Sequence, residues 1–374
     1  MPRVCRWTTS YLRKKSPLLP LLYRDNRVPD LAEFDLRSLK DHIKEQYPDL
    51  KNHPIRQYKY LRSLCERRAR AEPLDHIIGT TQFYDVEILS GRGALIPRSE
   101  TESMVMRLCD SLKDYYFVND KRRRNLGNNF RILDLCTGAG PISLLMAKQL
   151  YDLDLPYGFR ILGIDVSEPA LKLAKRSLEY NIRKGTLPKQ ARKDVGFYQG
   201  DVLNPKPSMY GGGVDQGMQY LGKSEVHDEI KVFFVNEDQV DYGSLMDIVI
   251  ANPPYISADG YWEDTERSVR LYEPEIALVP PEKRPANIPD DIPREDIFYP
   301  AVEEFAAYFK SKAIIFETGG DKQSARVKAM LESRGWETGT WKDFRGINRN
   351  VVGWRKETGW NWLLLPSKNG MSYD

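Results

Sequence analysis

The sequence predicts a doubly wound α/β fold: a Rossmann-like sheet that is mostly parallel with an antiparallel edge hairpin, preceded by a small N-terminal helical domain. From residue 130 to residue 333, short apolar runs rich in branched side chains alternate with amphipathic segments of helical period, the pattern of successive strands and helices. Two of these runs end at turn-forming sequences, Cys136 to Gly140 and Asn252 to Tyr255. The last two runs, 338–344 and 351–355, predict a closing hairpin.

The composition is that of a folded chain in a reducing compartment. With 374 residues and 41% hydrophobic side chains, the chain can form one large domain or two smaller ones. Its net charge of +3 is mild for a nucleic-acid-binding protein, although residues 1–72 hold 17 Lys and Arg against 9 Asp and Glu. The four cysteines and four histidines show no paired or metal-type spacing, so we expect neither disulfides nor a metal site. No apolar run approaches the length that crosses a bilayer, which predicts a soluble protein.

The first sixteen residues differ from the rest in composition. They contain five basic side chains, several hydroxyl residues and no acid. This composition is typical of a transit segment that directs a protein to an organelle. A frayed basic terminus explains it equally well.

Residues 17–75 predict a small helical bundle. One helix is expected to begin at Asp30 and to end at Pro48, and a second one to open at Pro54. The apolar side chains expected on the inner faces are Leu31, Phe34, Leu39 and Ile43 in the first helix and Ile55, Tyr58, Leu61 and Cys65 in the second. The arginines expected on the outer surface are Arg62, Arg67, Arg68 and Arg70. They fit either a contact with an acidic or RNA-bearing partner or a solvated face.

A hairpin is expected to link the two parts of the chain within residues 76–100. Apolar and polar side chains alternate from Gln82 to Leu89, Gly91-Arg92-Gly93 predicts the turn, and residues 94–98 predict the second strand. Ser99 followed by Glu102 resembles a capping box at the start of the next helix. The buried stripe of that helix is expected to comprise Met104, Val105, Leu108, Cys109 and Leu112.

The stretch from residue 130 to Asp165 predicts the nucleotide-binding half of the sheet. A strand is followed by the turn Cys136-Thr137-Gly138-Ala139-Gly140, then by a helix, and then by a second strand that ends in Asp165. Glycines let the backbone approach a ligand, and a carboxylate at the next strand tip accepts ribose hydroxyls. Ser143 replaces the third glycine of the dinucleotide pattern, which favours a nucleoside without phosphates over NAD. S-Adenosylmethionine meets that description.

A helix is expected over 168–184 and a short strand over 195–199. The residues after that strand lie where an adenine ring is expected. Of these, Asp201 fits either an acceptor for the adenine amino group or an ordinary turn aspartate, and Val202 follows it. Exposed loops are expected at the basic residues 121–124 and at the insertion 204–227. Further along, we expect an ordered loop over 268–279, helices over 299–310 and 322–333, and a strand over 313–317.

The apolar run that ends at Asn252-Pro253-Pro254-Tyr255 predicts a substrate site. Proline fixes its own φ and restricts the residue before it, so the backbone here is stiff. The Asn252 side-chain oxygen and the Pro253 carbonyl are two acceptors that suit a planar –NH2 group. Holding both N–H bonds would orient the nitrogen toward an electrophile and support its growing positive charge. Tyr255 could stack on the same flat group. Taken alone, this stretch is more often a simple proline turn.

Several separated stretches together resemble one known family, the HemK/PrmC protein-glutamine methyltransferases. They are residues 94–102, 134–140, 252–256 and 270–278, and the resemblance covers roughly residues 73–355. The sequence Asn-Pro-Pro-Tyr is also shared with adenine amino methyltransferases, whereas the Ile-Pro-Arg and Tyr-Glu-Pro stretches are more specific. The resemblance implies a class I methyltransferase fold that uses S-adenosylmethionine to methylate the glutamine in the Gly-Gly-Gln loop of a peptide chain release factor.

The resemblance also implies positions for the site residues. Cofactor binding is assigned to Cys136, Thr137, Gly138, Ala139 and Gly140 at the methionine end, to Asp165 at the ribose, to Asp201 and Val202 at the adenine, and to Asn252. Substrate binding is assigned to Asn252, Pro253, Pro254 and Tyr255, of which Asn252, Pro253 and Tyr255 are the expected catalytic residues. Cys136 stands where the family often has glycine, and Val202 stands where it often has an aromatic residue.

The domain organisation expected on this basis is a transit segment (1–16), a helical substrate-docking domain (17–75), a hairpin linker (76–100) and the methyltransferase domain (101–374). We expect a monomer that acts on a release factor without a metal, a membrane or a direct nucleic-acid partner. The basic terminus and the insertions near 204–227 and 281–294 resemble an organellar branch of the family, which favours the mitochondrion over the cytoplasm. Two other functions fit the sequence. One is an adenine N6 amino methyltransferase on DNA or RNA, which would need a basic cleft, and the other is a non-catalytic RNA- or ribosome-associated binding protein.

Overall fold

The computed structural model describes residues 6–118, 130–153, 158–204, 246–286 and 288–364. Residues 121–124, residues 205–227 of the predicted insertion and the first five residues of the expected transit segment lie outside the described residues. The described helices are α1 Arg6–Lys15, α2 Leu19–Asn26, α3 Pro29–Gln46, α4 Pro54–Arg68, α5 Leu74–Ile78, α6 Ser99–Val118, α7 Pro141–Asp152, α8 Glu168–Lys184, α9 Ala191–Asp194, α10 Ala258–Glu263, α11 Arg267–Tyr272, α12 Phe298–Tyr308 and α13 Asp321–Ser333. The described strands are β1 Thr80–Phe83, β2 Val86–Leu89, β3 Phe130–Leu135, β4 Phe159–Asp165, β5 Val195–Gln199, β6 Ile248–Ala251, β7 Ala313–Glu317, β8 Glu337–Lys342 and β9 Asn348–Trp354.

Two compact units make up the described chain. The first comprises the residues up to Thr80 together with Ser90–Arg92 and Asp264–Pro274, and the second comprises the other described residues. The first unit therefore includes a segment from much further along the sequence, which contains α11.

The first unit has its own apolar core, built from α1 to α4. In α3, Leu39 and Ile43 are buried as predicted, but Leu31 and Phe34 are exposed. The inner face of this helix is formed instead by Ala32, Leu36, Leu39 and Ile43, which follow the helical repeat of three to four residues. In α4, the predicted Leu61 and Cys65 are buried together with Leu64, whereas Ile55 and Tyr58 are exposed.

The sequence predicts that the arginines of the first unit lie on its outer surface, but Arg68 does not. Arg68 donates at 2.9 Å to Asp35, whose side chain is buried. A buried carboxylate is costly unless a cation pairs with it, so Arg68 belongs to the interior of this unit. Arg67 pairs with Glu72 through two hydrogen bonds of 2.9 and 2.6 Å.

A seven-stranded sheet forms the centre of the second unit, in the order β5-β4-β3-β6-β7-β9-β8. The strands from β5 to β7 are parallel, and β9 is antiparallel to both of its neighbours. This confirms the predicted mostly parallel sheet with an antiparallel hairpin at one edge. The chain runs outward from β3 in one direction and from β6 in the other. The carboxyl ends of β3 and β6 therefore form a topological switch point, where open α/β sheets bind ligands.

Helices cover both faces of this sheet. Ile132 of β3 packs in a core with residues of α6, α7 and α8, whereas the next residue, Leu133, packs in a second core with residues of α12 and α13. Strands that are buried on both faces are largely apolar, which is why they appear in the sequence as nearly continuous apolar runs. The predicted stripe of α6 is confirmed, since all of its members are buried: Met104, Val105, Leu108, Cys109 and Leu112.

The predicted hairpin is present with a different turn. β1 pairs with β2, and Tyr84-Asp85 is the turn that connects them. Residues 94–98, which are predicted as the second strand, form no strand. Arg92-Gly93 forms a turn, but it joins no strands, so the prediction that Gly91-Arg92-Gly93 is the hairpin turn is wrong. The capping box is also absent: the Glu102 N–H donates to the Arg98 carbonyl rather than to Ser99, and the Glu102 carboxylate accepts from the Tyr84 N–H at 2.8 Å. The predicted ordered loop over 268–279 is partly helical, with α11 and a 3-10 turn at Glu275–Ala277.

The remaining predicted elements agree with the structure within a few residues, and the bounds of β5, β7 and α8 match the predictions. In the part of the chain that the structure describes, no helix is both long and apolar enough to cross a membrane.

Candidate active site

Four residues lie side by side where four neighbouring parallel strands end. The register pairs Leu135 of β3 with Ile164 of β4 and Ala251 of β6, and it pairs Ala251 with Phe316 of β7. The residues that come next on each strand form a row across the edge of the sheet: Asp165, Cys136, Asn252 and Glu317. The sequence predicts the first three as site residues, whereas Glu317 is not among the predicted residues.

Backbone hydrogen bonds and a carboxylate shape the glycine turn after β3. The Thr137 N–H donates to the carbonyl of Ile164 at 3.0 Å, and the Gly138 N–H donates to Asp165 Oδ2 at 2.8 Å. Gly138 and Gly140 have φ values of 58° and 84°, which glycine adopts without strain. A Cβ on Gly140 would lie 2.9 Å from Phe197, whereas one on Gly138 would meet nothing within 4 Å. Gly140 is thus required for packing, and Gly138 borders open space.

Asp165 ends β4, as the sequence predicts. Its Oδ1 accepts from the Ser167 N–H at 2.8 Å, and its Oδ2 accepts from Gly138. Burial raises the pKa of this carboxyl, and the backbone hydrogen bonds from Ser167 and Gly138 oppose that rise. Each oxygen keeps a second lone pair, so the carboxylate can still accept ribose hydroxyls.

Asp134 is a second carboxylate at the turn. It is fully buried, and its Oδ2 accepts from the hydroxyls of Thr137 and Ser143, both at 2.6 Å. Ser143, which replaces the third glycine of the dinucleotide pattern, therefore has a defined partner. Oδ1 of Asp134 has no hydrogen-bond partner among the described residues, and burial raises the pKa of this carboxyl to about 6. Buried acceptors of this kind are normally satisfied by an ordered water or by a ligand.

Cys136 adopts a positive φ of 61°, a conformation in which glycine is favoured. Burial raises the pKa of its thiol well above the usual value, and the negative charges of Asp165, Asp134 and Asp201 raise it further. The thiol is therefore protonated at neutral pH and is not an activated nucleophile. The three carboxylates around it make this part of the site negative, which suits a cationic ligand.

Asp201 and Val202 follow the end of β5. The Asp201 Oδ1 accepts from the Leu203 N–H at 2.9 Å, an Asx-type turn. The Val202 side chain is 6% exposed and packs in the core with Leu203. Of the two predicted residues, Asp201 is thus the one with polar side-chain atoms for recognition of a base.

Thr101 holds the side chain of Asn252 in a defined orientation. The Asn252 Nδ2 donates at 3.0 Å to the hydroxyl of Thr101, a buried residue in the first turn of α6. Because the amide nitrogen is used in this way, Oδ1 of Asn252 is the atom that can accept from a ligand.

Glu317 is bonded to both Thr101 and Tyr255. Its Oε2 accepts from the Thr101 hydroxyl at 2.6 Å, and its Oε1 accepts from the Tyr255 hydroxyl at 3.0 Å. The side chain is fully buried. Burial raises the pKa of Glu317 to about 7, although the two hydroxyl donors and the charge of Arg349 act in the opposite direction.

The proline segment itself is anchored on several sides. Pro253 and Pro254 are buried, and Tyr255 is half-buried. A Cβ on Gly319 would lie 2.9 Å from Oε1 of Gln323 but in ordinary contact, at 3.5 Å, with the Tyr255 ring, so the small residue leaves room for Gln323. The Tyr255 carbonyl accepts from Gln323 Nε2 at 3.4 Å, and the Ile256 N–H donates to the Leu278 carbonyl at 2.8 Å. The predicted rigid strand end is therefore held by hydrogen bonds as well as by proline.

Three polar residues of this site are not predicted by the sequence analysis: Thr101, Asp134 and Glu317. Glu317 could have been suggested by its position, because it ends an apolar run just as Asp165 does. Asp134 and Thr101 lie within the stretches that carry the family resemblance, but their spacing gives no sign of a contact. Thr101 is separated by 151 residues from Asn252 and by 216 residues from Glu317, and these separations close only in the folded chain.

The site thus combines a negatively charged glycine turn with a side-chain acceptor on the neighbouring strand. Within the described ranges, no group of His, Cys, Asp or Glu side chains could hold a metal ion. This geometry defines a doubly wound α/β protein with a candidate ligand-binding site at the switch point of its sheet.

Comparison with known proteins identifies the family. The chain is 30% identical over 293 residues to the release factor glutamine methyltransferase of Thermodesulfovibrio yellowstonii, which covers 78% of this chain and 80% of that protein. It is 29% identical over 369 residues to the probable MRF1 mitochondrial N(5)-glutamine methyltransferase of Schizosaccharomyces pombe, with 96% and 97% covered. It is 26% identical over 364 residues to the mitochondrial MRF1 N(5)-glutamine methyltransferase of Saccharomyces cerevisiae, with 95% and 90% covered. The chain belongs to the release factor glutamine methyltransferase family.

The other two comparisons add no evidence on the family. No protein-family model matches the chain. Among solved structures, the METTL16 methyltransferase domain is 13% identical to this chain, with a TM-score of 0.41. The match covers 78% of this chain and 80% of the METTL16 chain.

Proposed function

We propose that the chain transfers a methyl group from S-adenosylmethionine to the side-chain amide nitrogen of the glutamine in the Gly-Gly-Gln loop of a peptide chain release factor. Membership of the family supports both the reaction and the class of substrate. The observation that carries the proposal is the sheet register, because the glycine turn follows β3 and Asn252 follows β6 at adjacent positions. A methyl donor and an amide acceptor held there would lie side by side.

The residues at the switch point fit S-adenosylmethionine. This molecule carries a sulfonium, an ammonium and ribose hydroxyls, and the site offers the carboxylates of Asp134, Asp165 and Asp201 around Cys136. The open space at Gly138 fits the same ligand. The bound cofactor would supply an electrophilic methyl group. The residues that would hold it are Cys136, Thr137, Gly138, Ala139 and Gly140 at the methionine end, Asp165 at the ribose, and Asp201 with Val202 at the adenine.

The substrate amide would be held by the segment after β6. An amide nitrogen is a weak nucleophile because its lone pair is delocalised. The Asn252 Oδ1 and the Pro253 carbonyl would accept its two N–H bonds and so direct the lone pair at the methyl group. The same acceptors stabilise the positive charge that develops on the nitrogen during transfer. Tyr255, next to the buried Pro254, would pack against the flat group.

The test uses the purified chain, labelled S-adenosylmethionine and a release factor, either wild type or with its loop glutamine replaced by alanine. We expect label in the wild-type factor only, located at that glutamine by peptide mass spectrometry. Label that persists after the replacement would contradict the proposal. Label that enters added DNA or RNA would favour adenine methylation instead.

The cellular context is part of the proposal. The names of both yeast relatives include the word mitochondrial, and residues 1–16 are basic and lack acids. We place the chain in the mitochondrion as a monomer, with residues 17–75 docking the release factor, residues 76–100 as a linker and residues 101–374 as the methyltransferase domain. Cell fractionation of the tagged full-length chain tests the location, and recovery with a cytosolic marker would contradict it.

A further inference from the structure

A chain of hydrogen bonds connects the buried carboxylate of Glu317 to the amide of Asn252. Oε2 of Glu317 accepts from the Thr101 hydroxyl at 2.6 Å, and Oε1 accepts from the Tyr255 hydroxyl at 3.0 Å. The Thr101 oxygen in turn accepts from Asn252 Nδ2 at 3.0 Å. Glu317 and Thr101 are 0% and 2% exposed, so water does not compete for these bonds.

An ionised carboxylate gives this chain a single direction. It has no hydrogen to donate, so both hydroxyls must point their hydrogens at it. Thr101 has only one hydroxyl hydrogen, and once that hydrogen is used on Glu317 the oxygen can only accept. The Asn252 amide must then turn its –NH2 group toward Thr101 and its oxygen away.

We propose that Thr101 and Glu317 are positioning residues that fix which end of the Asn252 amide faces the substrate. This inference rests on the proposed function, in which Asn252 Oδ1 accepts an N–H bond of the substrate glutamine. A reversed Asn252 would present its own –NH2 to the substrate –NH2. Two donors cannot form a hydrogen bond with each other, and the substrate nitrogen would lose its orientation toward the methyl group.

The charge of Glu317 determines how firmly this direction is set. The groups that face the Glu317 carboxylate, besides Thr101, are the Tyr255 hydroxyl, Arg349 of β9 and Glu100 of α6. The Tyr299 hydroxyl of α12 donates to the backbone carbonyl of Glu317. The pKa of Glu317, raised by burial to about 7, places its protonation near neutral pH. A protonated Glu317 has a hydrogen of its own. If it donates that hydrogen to Thr101, the Thr101 hydrogen is free for Asn252 Oδ1, and the amide can reverse.

Two substitutions at Thr101 separate the hydroxyl from the methyl group. Thr101→Val removes the hydroxyl, whereas Thr101→Ser keeps it. We expect kcat for release factor methylation to fall by about tenfold or more in Thr101→Val and to stay within about threefold in Thr101→Ser. The dissociation constant of S-adenosylmethionine should not change in either variant. An equal loss in both variants would show that the methyl group matters through packing, and would overturn the proposal.

Ser311→Ala is the matched control for the loss of a buried hydroxyl. Ser311 is fully buried and donates at 2.7 Å to the Ala313 carbonyl at the start of β7, the strand that ends in Glu317. We expect this variant to retain the wild-type kcat. A loss equal to that of Thr101→Val would indicate a general effect on the strand and would count against the proposal.

Glu317→Gln tests the effect of charge. Glutamine has the shape of the protonated acid and does not ionise, so both directions of the chain stay accessible at every pH. We expect the wild-type kcat to rise as the pH increases through about 7, and the kcat of Glu317→Gln to remain at the low-pH value. A variant that keeps the wild-type profile would contradict the assignment of this dependence to Glu317.

A measurement without release factor separates this inference from the proposed function. In protein labelled with ¹⁵N-asparagine, the side-chain amide signals of Asn252 are identified by their loss in Asn252→Ala. They should shift with a midpoint near pH 7 in the wild type and should not shift in Glu317→Gln. If the signals shift in this way but the release factor is not methylated, the inference about the Asn252 amide stands and the proposed substrate is wrong. Signals of the wild type that do not respond to pH would overturn the inference even where methylation occurs.

Discussion

At the scale of single residues, the two ends of the Asn252 amide have different roles. The nitrogen donates to Thr101 within the protein, and the oxygen is available to a ligand. Asn252→Ala removes the oxygen without changing the carboxylates around Cys136. We therefore expect kcat to fall by about a hundredfold while the dissociation constant of S-adenosylmethionine changes less than about twofold. Initial rates with labelled cofactor and calorimetry measure the two quantities. Equal losses in both would argue against a substrate-orienting amide.

Glu317 makes a prediction about stability that is independent of activity. Its pKa is raised from 4.5 to about 7 in the folded chain, so the folded state holds the proton more tightly than the unfolded state. The stability associated with this proton is present below pH 4.5 and is lost as the pH rises through about 7. Between pH 5 and pH 8, we expect the free energy of unfolding of Glu317→Gln to gain about 2 kcal/mol relative to the wild type. Urea titrations at the two pH values measure it, and a constant difference would contradict the prediction.

Sequence patterns identify some of these residues and not others. Asn252 and Asp165 come directly after apolar runs. Each is therefore predicted to lie at the end of a strand. The contact between Thr101 and Glu317 joins residues 216 positions apart. Their proximity depends on how α6 packs in the second unit, which local periodicity does not encode.

At the scale of elements, end signals explain which helices could be predicted. The bounds of α8 match because Ser167 caps its start by accepting from the Ala170 N–H and Gly185 ends it with a φ of 80°. The first hairpin is less predictable. Gly91-Arg92-Gly93 is the stronger turn signal in the sequence, but burial of Phe83 and Val86 on either side of Tyr84-Asp85 fixes the turn there.

This turn leads to a prediction for Tyr84, which has a φ of 50° and a side chain that is 41% exposed. A non-glycine residue is strained in this conformation. Tyr84→Gly should therefore raise the free energy of unfolding by about 0.5 to 1 kcal/mol, after the greater flexibility of glycine in the unfolded chain is subtracted. Chemical denaturation measures the change, and Tyr84→Ala, which also removes the side chain but keeps a residue that is strained at this φ, is the control. A loss of stability in Tyr84→Gly would contradict the assigned strain.

At the scale of the whole molecule, the alternation of strands and helices predicts the fold class but not the strand order. Which strands are neighbours follows from the pairing of Leu135, Ala251 and Phe316, and only that pairing places Glu317 beside Asn252. The sequence predicts a separate N-terminal helical domain, but it gives no sign that Asp264–Pro274 groups with those helices.

The proposed docking of a release factor by residues 17–75 predicts an effect of surface charge. Arg56 and Lys59 are exposed on α4. The double change Arg56→Glu and Lys59→Glu should raise KM for the release factor by about tenfold at low salt, with kcat and cofactor affinity unchanged, because attraction between exposed charges acts mainly on association. Lys175→Glu with Arg176→Glu makes the same change in net charge on exposed residues of α8. An equal rise in KM in both variants would point to net charge rather than to docking by α4.

The position of β9 has a consequence for synthesis of the chain. β9 lies between β7 and β8 in the sheet although it comes last in the sequence. While residues 318–347 are the last to have left the ribosome, β7 has one side without its neighbour, and unpaired strand edges favour association between nascent chains. A premature stop codon in this interval would make that exposure permanent. Such a product would be expected to aggregate even though it contains both the glycine turn and Asn252.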